Sequence, residues 1–500
     1  MASLIEIRKE RLGKIEELRK LGIYPYPSVS GRTHKVGPII SNFADFEGKE
    51  VSIAGRLMSF REHGTICFSD LEDESGKIQL YLKVESISPF EQGKQHIGYD
   101  NLKLLDIGDI VQVSGIVVKT KTGQVSVEVK YLHLLTKSLR PLPDKHDGLR
   151  DPELIFRQRY LDLAINRERR ELFRRKSVFW QANRMFMKEK GFLEVETPVL
   201  EQVTGGADAK PFTTHHNALD QDFFLRISTE LYLKRLIGGG FEKIYTLGPN
   251  FRNEGIDDEH LQEYYQIEWY EAYADYRSNM EMVREMFRFL AKTVYNKTEF
   301  TRGEHTFDLA TDWQEIDYTE CIKKETGIDI WTMSEEAMCD MLKERDVILG
   351  GKINKARLVD NLWKLVRKNI AGPAFLINEP KFMSPLAKSK NDNPDITERF
   401  HVILAGSELG NGYSELNDPV DQLERFREQQ KAREEGDEEA QMLDIDYVEM
   451  LEYGMPPVSG YAHSERLFWF FENLGAREAT LFPQMRHKLS ALQREIYGLE

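Results

Sequence analysis

The chain has 500 residues, more than one ordinary domain holds, so two or three domains are expected. A hydrophobic share of 41% is enough for real cores, a charged share of 30% suits a soluble protein, and no apolar run is long enough to span a bilayer. The net charge of −15 argues mildly against a nucleic-acid partner, although phosphate contact needs only a local basic face. Three widely spaced cysteines, Cys67, Cys321 and Cys339, speak against a disulfide framework or a zinc cluster and for a reducing cytoplasm. The start lacks the apolar core of a signal peptide.

Residues 4–22 read as a helix, with Leu4, Ile7, Leu12, Ile15, Leu18 and Leu21 near a helical period. The first 35 residues carry eight Lys/Arg against four Glu, and Arg8, Lys9, Arg11, Lys14, Arg19 and Lys20 fall in that helix. Such a face reads equally as an ordinary solvated surface. Pro25 and Pro27 end this lead-in, assigned to 1–49. Across 50–138 the runs Val51–Met58, Thr65–Leu71, Lys77–Leu82, Ile110–Val118 and Gln124–Leu135 are β-rich, which suits a small closed barrel of the OB type. Leu139-Arg-Pro-Leu-Pro-Asp144 opens a rigid linker, taken as 139–160. From 161 to 500 helical patterns (171–190, 277–298, 334–346, 421–435) alternate with strand-like runs (223–228, 243–247, 263–273, 400–405, 411–417). That predicts an α+β domain, an antiparallel sheet flanked by helices, with a mostly helical insertion at about 298–382.

Four segments carry residues suited to chemistry. In Gly191-Phe-Leu-Glu-Val-Glu-Thr-Pro-Val-Leu200 a helix ends at Gly191 and Pro198 holds Thr197 in extended backbone, by itself only a helix–strand corner. Phe251-Arg-Asn-Glu-Gly255 opens a charged loop through His260, and the strand after it sends Glu268 and Tyr270 to one face, Trp269 and Glu271 to the other. Strand, loop and returning strand can bring Arg252, Glu254, His260 and Glu268 into one cleft, though a charged surface hairpin would read alike. In Glu408-Leu-Gly-Asn-Gly-Tyr-Ser-Glu-Leu-Asn-Asp418 two glycines around Asn411 permit close backbone approach, and the acidic spacing of an EF-hand calcium loop is absent. Gly454-Met-Pro-Pro-Val-Ser-Gly-Tyr-Ala-His-Ser-Glu-Arg-Leu467 leads small residues into a helix from about Ser464, where backbone N–H groups and Arg466 suit an anion.

Together the four segments resemble the signature motifs and amino-acid pocket of the class II aminoacyl-tRNA synthetases, and most closely a divergent bacterial-type lysyl enzyme. The resemblance covers nearly the whole chain. It includes Ala54-Gly-Arg-Leu-Met58, Ile78-Gln-Leu-Tyr81, Leu139-Arg-Pro-Leu-Pro143, Arg157-Gln-Arg-Tyr-Leu-Asp162, Gly205-Gly-Ala207, Thr214-His-His-Asn-Ala218, Glu230-Leu-Tyr-Leu-Lys-Arg235 and Glu452-Tyr-Gly-Met-Pro-Pro457.

The resemblance implies a lysine–tRNA ligase that makes lysyl-adenylate from lysine and ATP with Mg²⁺ and transfers lysine to tRNA(Lys). It implies that Arg252 bridges the lysine carboxylate and the α-phosphate, and that Arg466 lies against the adenine opposite Tyr264 and reaches the γ-phosphate. Glu254 and His260 would help hold the nucleotide, and Glu408 would ligate magnesium. For lysine, Glu415 and Tyr270 would meet the ε-ammonium, with Glu268 behind them and Tyr413 along the stem. Glu230 and the Gly206 carbonyl would take the α-amino group, and Asn411 the carboxylate. In the barrel, Phe68 would stack on an anticodon base and Gln79 read a base edge, while the basic helix adds phosphate contacts. The corner at Pro198 implies a homodimer.

Four positions depart from the family pattern. Glu259 stands where an Arg usually precedes the His, with Leu261-Gln262 after it, so an acid would repel the phosphates unless it faces solvent or joins a magnesium site. His401 replaces a Glu that often shares magnesium with Glu408. The glycine-rich motif is one residue short, with Ala462 and His463 where small residues are expected, and Tyr131 stands where an anticodon-reading Glu is expected. These departures keep a second reading open, a catalytically silent RNA-binding or scaffold protein. An aspartate-activating relative would need cationic groups where this chain has acids, and a ligase that lysylates proteins would lack the barrel.

Overall fold

The computed structural model describes residues 3–143, 149–255, 257–349, 353–436 and 439–499. It divides the chain into two compact units: Met1–Ile155 with Tyr160–Ile165 and Arg486–Glu500, and Phe156–Arg159 with Asn166–Met485. Asp144, expected in the linker, lies outside the described residues, and Pro152–Arg157 nearby is helical.

In the first unit, helix α1 (Leu4–Lys20) begins with a capping box in which Ser3 and Glu6 satisfy each other's backbone N–H groups. Five strands follow: β1 (Glu50–His63), β2 (Ile66–Glu72), β3 (Lys77–Lys83), β4 (Ile110–Lys119) and β5 (Val125–Thr136). They close in the order β1-β2-β3-β5-β4. Alternation decides what faces inward: Ile53, Leu57, Cys67, Leu80, Val113 and Val127 fill the barrel. Two of the basic residues expected to meet phosphate are committed internally. Arg11 is buried and donates to the carbonyls of Ile107, Ser138 and Arg140, and Lys14 pairs with Asp106 at 2.8 Å. Lys9, Arg19 and Lys20 remain exposed.

The second unit is built on an eight-stranded sheet. Its strands are β6 (Leu193–Glu194), β7 (Lys243–Phe251), β8 (Glu263–Ala272), β9 (Gln314–Asp317), β10 (Ala374–Ile377), β11 (Arg399–Leu404), β12 (Ser407–Ser414) and β13 (Val458–Ser464). Across the sheet they run β9-β10-β11-β12-β13-β8-β7-β6. The interior pairs are antiparallel as expected, whereas the two edge pairs, β9 with β10 and β7 with β6, are parallel. Helices α2 (Arg167–Glu189) and α3 (Tyr276–Tyr295) pack against one face through Phe179, Phe186, Val283 and Phe287.

The stretch 298–382, read as a helical insertion, is only partly that. Helices cover Tyr318–Thr326, Glu335–Glu344 and Lys355–Val366, but β9 and β10 from the same stretch belong to the main sheet. Residues 350–352 lie outside the described residues. Among the described residues no helix is long and apolar enough to cross a membrane.

Candidate active site

The face of the sheet turned away from α2 and α3 carries a cleft of about 660 Å³ lined by residues from β8, β11, β12 and β13. Register explains its floor. Glu268 and Tyr270 of β8 stand opposite Ala462 and Gly460 of β13, which in turn stand opposite Asn411 and Tyr413 of β12. A side chain at Gly460 would fall 2.3 Å from the Tyr270 ring and 2.7 Å from Glu415 Oε1, so only glycine leaves this space open. Gly206, at φ +82°, lies so close to Glu230 and Ser228 that a Cβ would meet each at 2.8 Å.

One end of the cleft is deeply buried and acidic. Glu230, Glu268 and Glu415 are all buried. Glu268 accepts hydrogen bonds from Thr229 (2.7 Å), Gln266 (2.9 Å) and the Tyr270 hydroxyl (2.7 Å). Burial, and then the neighbouring Glu230, raise its pKa above the ordinary carboxylate value. Burial and the same acids raise the Tyr270 and Tyr413 phenols, keeping them as donors; Tyr413 donates to Glu230. Asn411 offers its amide oxygen to Arg399 at 3.2 Å, which leaves the amide N–H groups for an acceptor in the cleft.

The other end is cationic and loop-built. Arg252 lies over the Tyr264 ring at 5.5 Å, and its Nε is buried with no hydrogen-bond partner among the described residues. Arg466 is already engaged: Glu259 holds its guanidinium as an ion pair, and the Glu408 carbonyl accepts at 3.4 Å. His260 is exposed and sits on Asp257 at 2.7 Å, while Glu254 is exposed on the loop. Deeper in, Trp363 Nε1 donates to Glu408 at 2.5 Å. His401 faces Glu379 through Nε2 at 2.8 Å and Glu408 through Nδ1 at 3.5 Å. Although burial works against the charge, His401 and Arg367 hold the Glu408 carboxyl below its ordinary pKa.

The barrel presents its own surface. Phe68 and Tyr81 stack with centroids 5.0 Å apart and planes 5° from parallel, Lys83 covers Tyr81 at 4.5 Å, and Asp70 and Gln79 stand opposite each other alongside. Phe68 is half-buried on the outer face, while its neighbour Cys67 points inward. Gln79 is buried and accepts from Ser126 at 2.9 Å, which leaves its amide N–H groups as donors. Tyr131 is exposed against His96, and Glu128, in register with Tyr81, adds a carboxylate tied to Lys83 and Ser86.

Residues 151–486 match the profile of the class II tRNA synthetases (D, K and N), and residues 51–135 that of the OB-fold nucleic acid binding domain. The chain is 43% identical to the lysine–tRNA ligase of Thermosipho africanus, over 97% of this chain and 96% of that one. The Clostridium tetani lysine–tRNA ligase is 44% identical over 96% of each chain, and that of Christiangramia forsetii 43% identical over 100% of this chain and 90% of its own. The chain belongs to the class II lysyl-tRNA synthetases. The departures at Ala462 and His463 both fall on β13, which lines the cleft, and neighbouring Tyr461 shares the orientation of His463. Strand alternation sends both rings to the opposite face, against Trp269, Phe179 and Phe287, where burial pushes the His463 pKa down to about 3. Gly460 and Ala462 stand in register with Tyr270 and Glu268 on the cleft side.

Two expectations need correction. The helix expected from about Ser464 starts at Arg466 and runs only to Glu472, after a strand that continues to Ser464, and the Arg466 N–H is taken by Ser464 at 3.2 Å. Glu259, expected to face solvent or join a magnesium site, is ion-paired with Arg466. Sequence reasoning also passed over Lys234, Glu379, Trp363 and Gln441, which hold Glu230, His401, Glu408 and Gly206 respectively. Lys234 sits within the quoted family match at 230–235, yet its Glu-x-x-x-Lys spacing reads as an exposed helix pair.

Proposed function

We propose that this chain is a lysine–tRNA ligase acting in the cytoplasm, and that the buried acidic end of the cleft is its lysine pocket. The observation that carries the reading is the convergence of Glu230, Glu268, Glu415 and Tyr270 on one desolvated site. An ammonium on an apolar stem is the ligand such a set would accept; an acidic side chain would be repelled. A chain that only bound RNA would have no use for it.

The reaction needs no protein nucleophile. The lysine carboxylate attacks the α-phosphorus of ATP, pyrophosphate leaves, and the 3′ hydroxyl of tRNA(Lys) then takes the lysyl group and releases AMP. Catalysis is positioning and charge neutralisation. Arg252, which follows β7 and whose buried Nε has no hydrogen-bond partner among the described residues, would fork between the lysine carboxylate and the α-phosphate, and Asn411 would donate to that carboxylate. Tyr264 carries the nucleotide base, and Glu254 and His260 lie on the loop beside it. For Arg466 to serve a γ-phosphate, the phosphate must displace Glu259 from it.

Among the described residues no three His, Cys, Asp or Glu side chains converge as a metal-binding group. Glu408 nevertheless fits a cation that takes only one or two protein carboxylates and draws the rest from phosphates, the usual mode of magnesium with nucleotides, whereas His401 turns both ring nitrogens to Glu379 and Glu408 and does not suit it. Bound there, Mg²⁺ would neutralise phosphate charge as pyrophosphate departs. The stacked Phe68–Tyr81 face with Gln79 supports anticodon binding by the barrel, with exposed Lys9, Arg19 and Lys20 adding phosphate contacts. A homodimer is part of the same reading, resting on the corner at Pro198. Lysine-dependent ATP–pyrophosphate exchange, run beside aspartate and asparagine, tests the function. Exchange with lysine alone is expected; none at saturating ATP and magnesium would overturn it.

A further inference from the structure

The lysine pocket contains a lysine of its own. Lys234 lies one helical turn after Glu230 in the helix Glu230–Gly238, and its side chain is wholly buried. Its Nζ is 2.5 Å from Glu230 Oε1 and also pairs with Glu415, and it lies over the rings of Tyr413 (5.4 Å) and Tyr447 (5.9 Å). It is not among the residues lining the cleft, so it reaches the two acids from behind while their open sides face the cavity.

A buried ammonium with no partner would be untenable, and so would two bare carboxylates facing each other across a pocket. Lys234 answers both problems. Although burial works against its charge, Glu230 and Glu415 hold its pKa above the ordinary lysine value. The other nearby cations are committed elsewhere: Arg399 to Glu379, and Arg226 to the carbonyls of Pro249, Thr197 and Pro198. Glu230 and Glu415 therefore share one resident ammonium, while Glu268 is held by the neutral donors Thr229, Gln266 and Tyr270. Free lysine brings two ammonium groups, while its carboxylate goes to the Arg252 end.

Resting on the reading of this end as the lysine pocket, we propose that Lys234 is a positioning residue: a built-in ammonium that holds Glu230 and Glu415 from behind, so that their open sides are fixed toward the cavity for the ammonium groups of the substrate. Lys234 does not touch the substrate; it acts through the two acids that do. An amino acid with a neutral side chain leaves the open side of Glu415 without a partner. Removing Lys234 takes away the shared partner that fixes Glu230 and Glu415.

The test is a set of Lys234→Met, Lys234→Gln, Lys234→Arg, Glu415→Gln and the double variant Lys234→Met/Glu415→Gln, assayed by exchange for the KM of lysine and of ATP. Loss of the charge in Lys234→Met or Lys234→Gln is expected to raise the lysine KM roughly 30- to 300-fold, as for other broken buried ion pairs, with the ATP KM within about threefold of wild type. Lys234→Arg keeps the charge and should recover the lysine KM to within about tenfold of wild type; an arginine variant no better than the glutamine variant overturns the proposal. Because Lys234 acts through Glu415, the double variant should be about as impaired as the worse single one, and effects that multiply also overturn it. If Lys234→Met does not fold, the glutamine and arginine pair carries the test. A lysine KM unmoved by Lys234→Gln but raised by Glu415→Gln defeats this inference alone, whereas a lysine KM unmoved by Glu415→Gln defeats the pocket reading beneath it.

Discussion

The two ends of the cleft are built on opposite plans. At the lysine end the acids come from a helix and from β8 and the end of β12, are buried, and already carry most of their partners: Glu268 three hydrogen bonds, Glu230 and Glu415 the ammonium of Lys234. At the nucleotide end the cations meet a loop, and the one that should wait for phosphate, Arg466, is paired with an acid from that loop. The lysine end is preorganised and the nucleotide end must be rearranged by its ligand. On the proposed reading, lysine would meet acids that are already held, and ATP would spend part of its interaction energy opening the Arg466–Glu259 pair.

Four substitutions sharpen or break this contrast. Glu415→Gln should have the largest effect, roughly two to four orders of magnitude in kcat/KM for lysine, because it leaves an ammonium unpaired in a desolvated site. Steady-state exchange would register it, and an unchanged kcat/KM would remove the preorganised pocket from the comparison. Arg252→Lys should lower kcat about 10²- to 10³-fold while leaving lysine affinity closer to wild type, since a point charge cannot replace the planar fork that serves carboxylate and phosphate together. Single-turnover adenylate formation separates that loss from binding.

Two smaller effects concern the nucleotide end alone. Glu408→Gln should raise the magnesium concentration needed for half-maximal exchange by about tenfold, with the lysine KM unmoved, since a hard cation loses its one carboxylate here. A magnesium titration checks it. Glu259→Gln should lower the ATP KM about three- to tenfold by freeing Arg466, and the gain should shrink as salt rises, because this partly exposed pair is screened. An ATP KM that rises instead would mean that Glu259 assists the nucleotide.

Much of this was legible in the sequence where a short period or a contiguous motif carries the information. The barrel strands alternate, and β8 presents Glu268 and Tyr270 on one face as period two demands. What escaped depends on long-range placement. Ala374–Ile377 is a four-residue apolar run buried on both faces, and such a run has no alternation to mark it as a strand of the main sheet. Glu379 meets His401 across 22 positions and Trp363 meets Glu408 across 45, and nothing local in either segment announces the other. Glu259 looked like a misplaced charge because its partner lies 207 residues away. Lys234 was hidden differently: a Glu–Lys pair one turn apart is normally a solvated ornament of a helix, and only burial turns it into part of the pocket.

The cysteines sit in different cores. Cys67 is sealed inside the barrel, where burial pushes its thiol pKa up, while Cys321 and Cys339 are only half-buried, beside a separate cluster around Leu358 and Trp363. A thiol reacts as its thiolate and only when reagent can reach it. Cys67 is therefore a clock for opening of the barrel. In pulsed alkylation read by mass spectrometry, Cys321 and Cys339 should be modified by ordinary breathing, while Cys67 should be modified only as fast as the barrel unfolds. One unlabelled protein thus reports the opening of its RNA-facing barrel separately from the motions of the enzyme core.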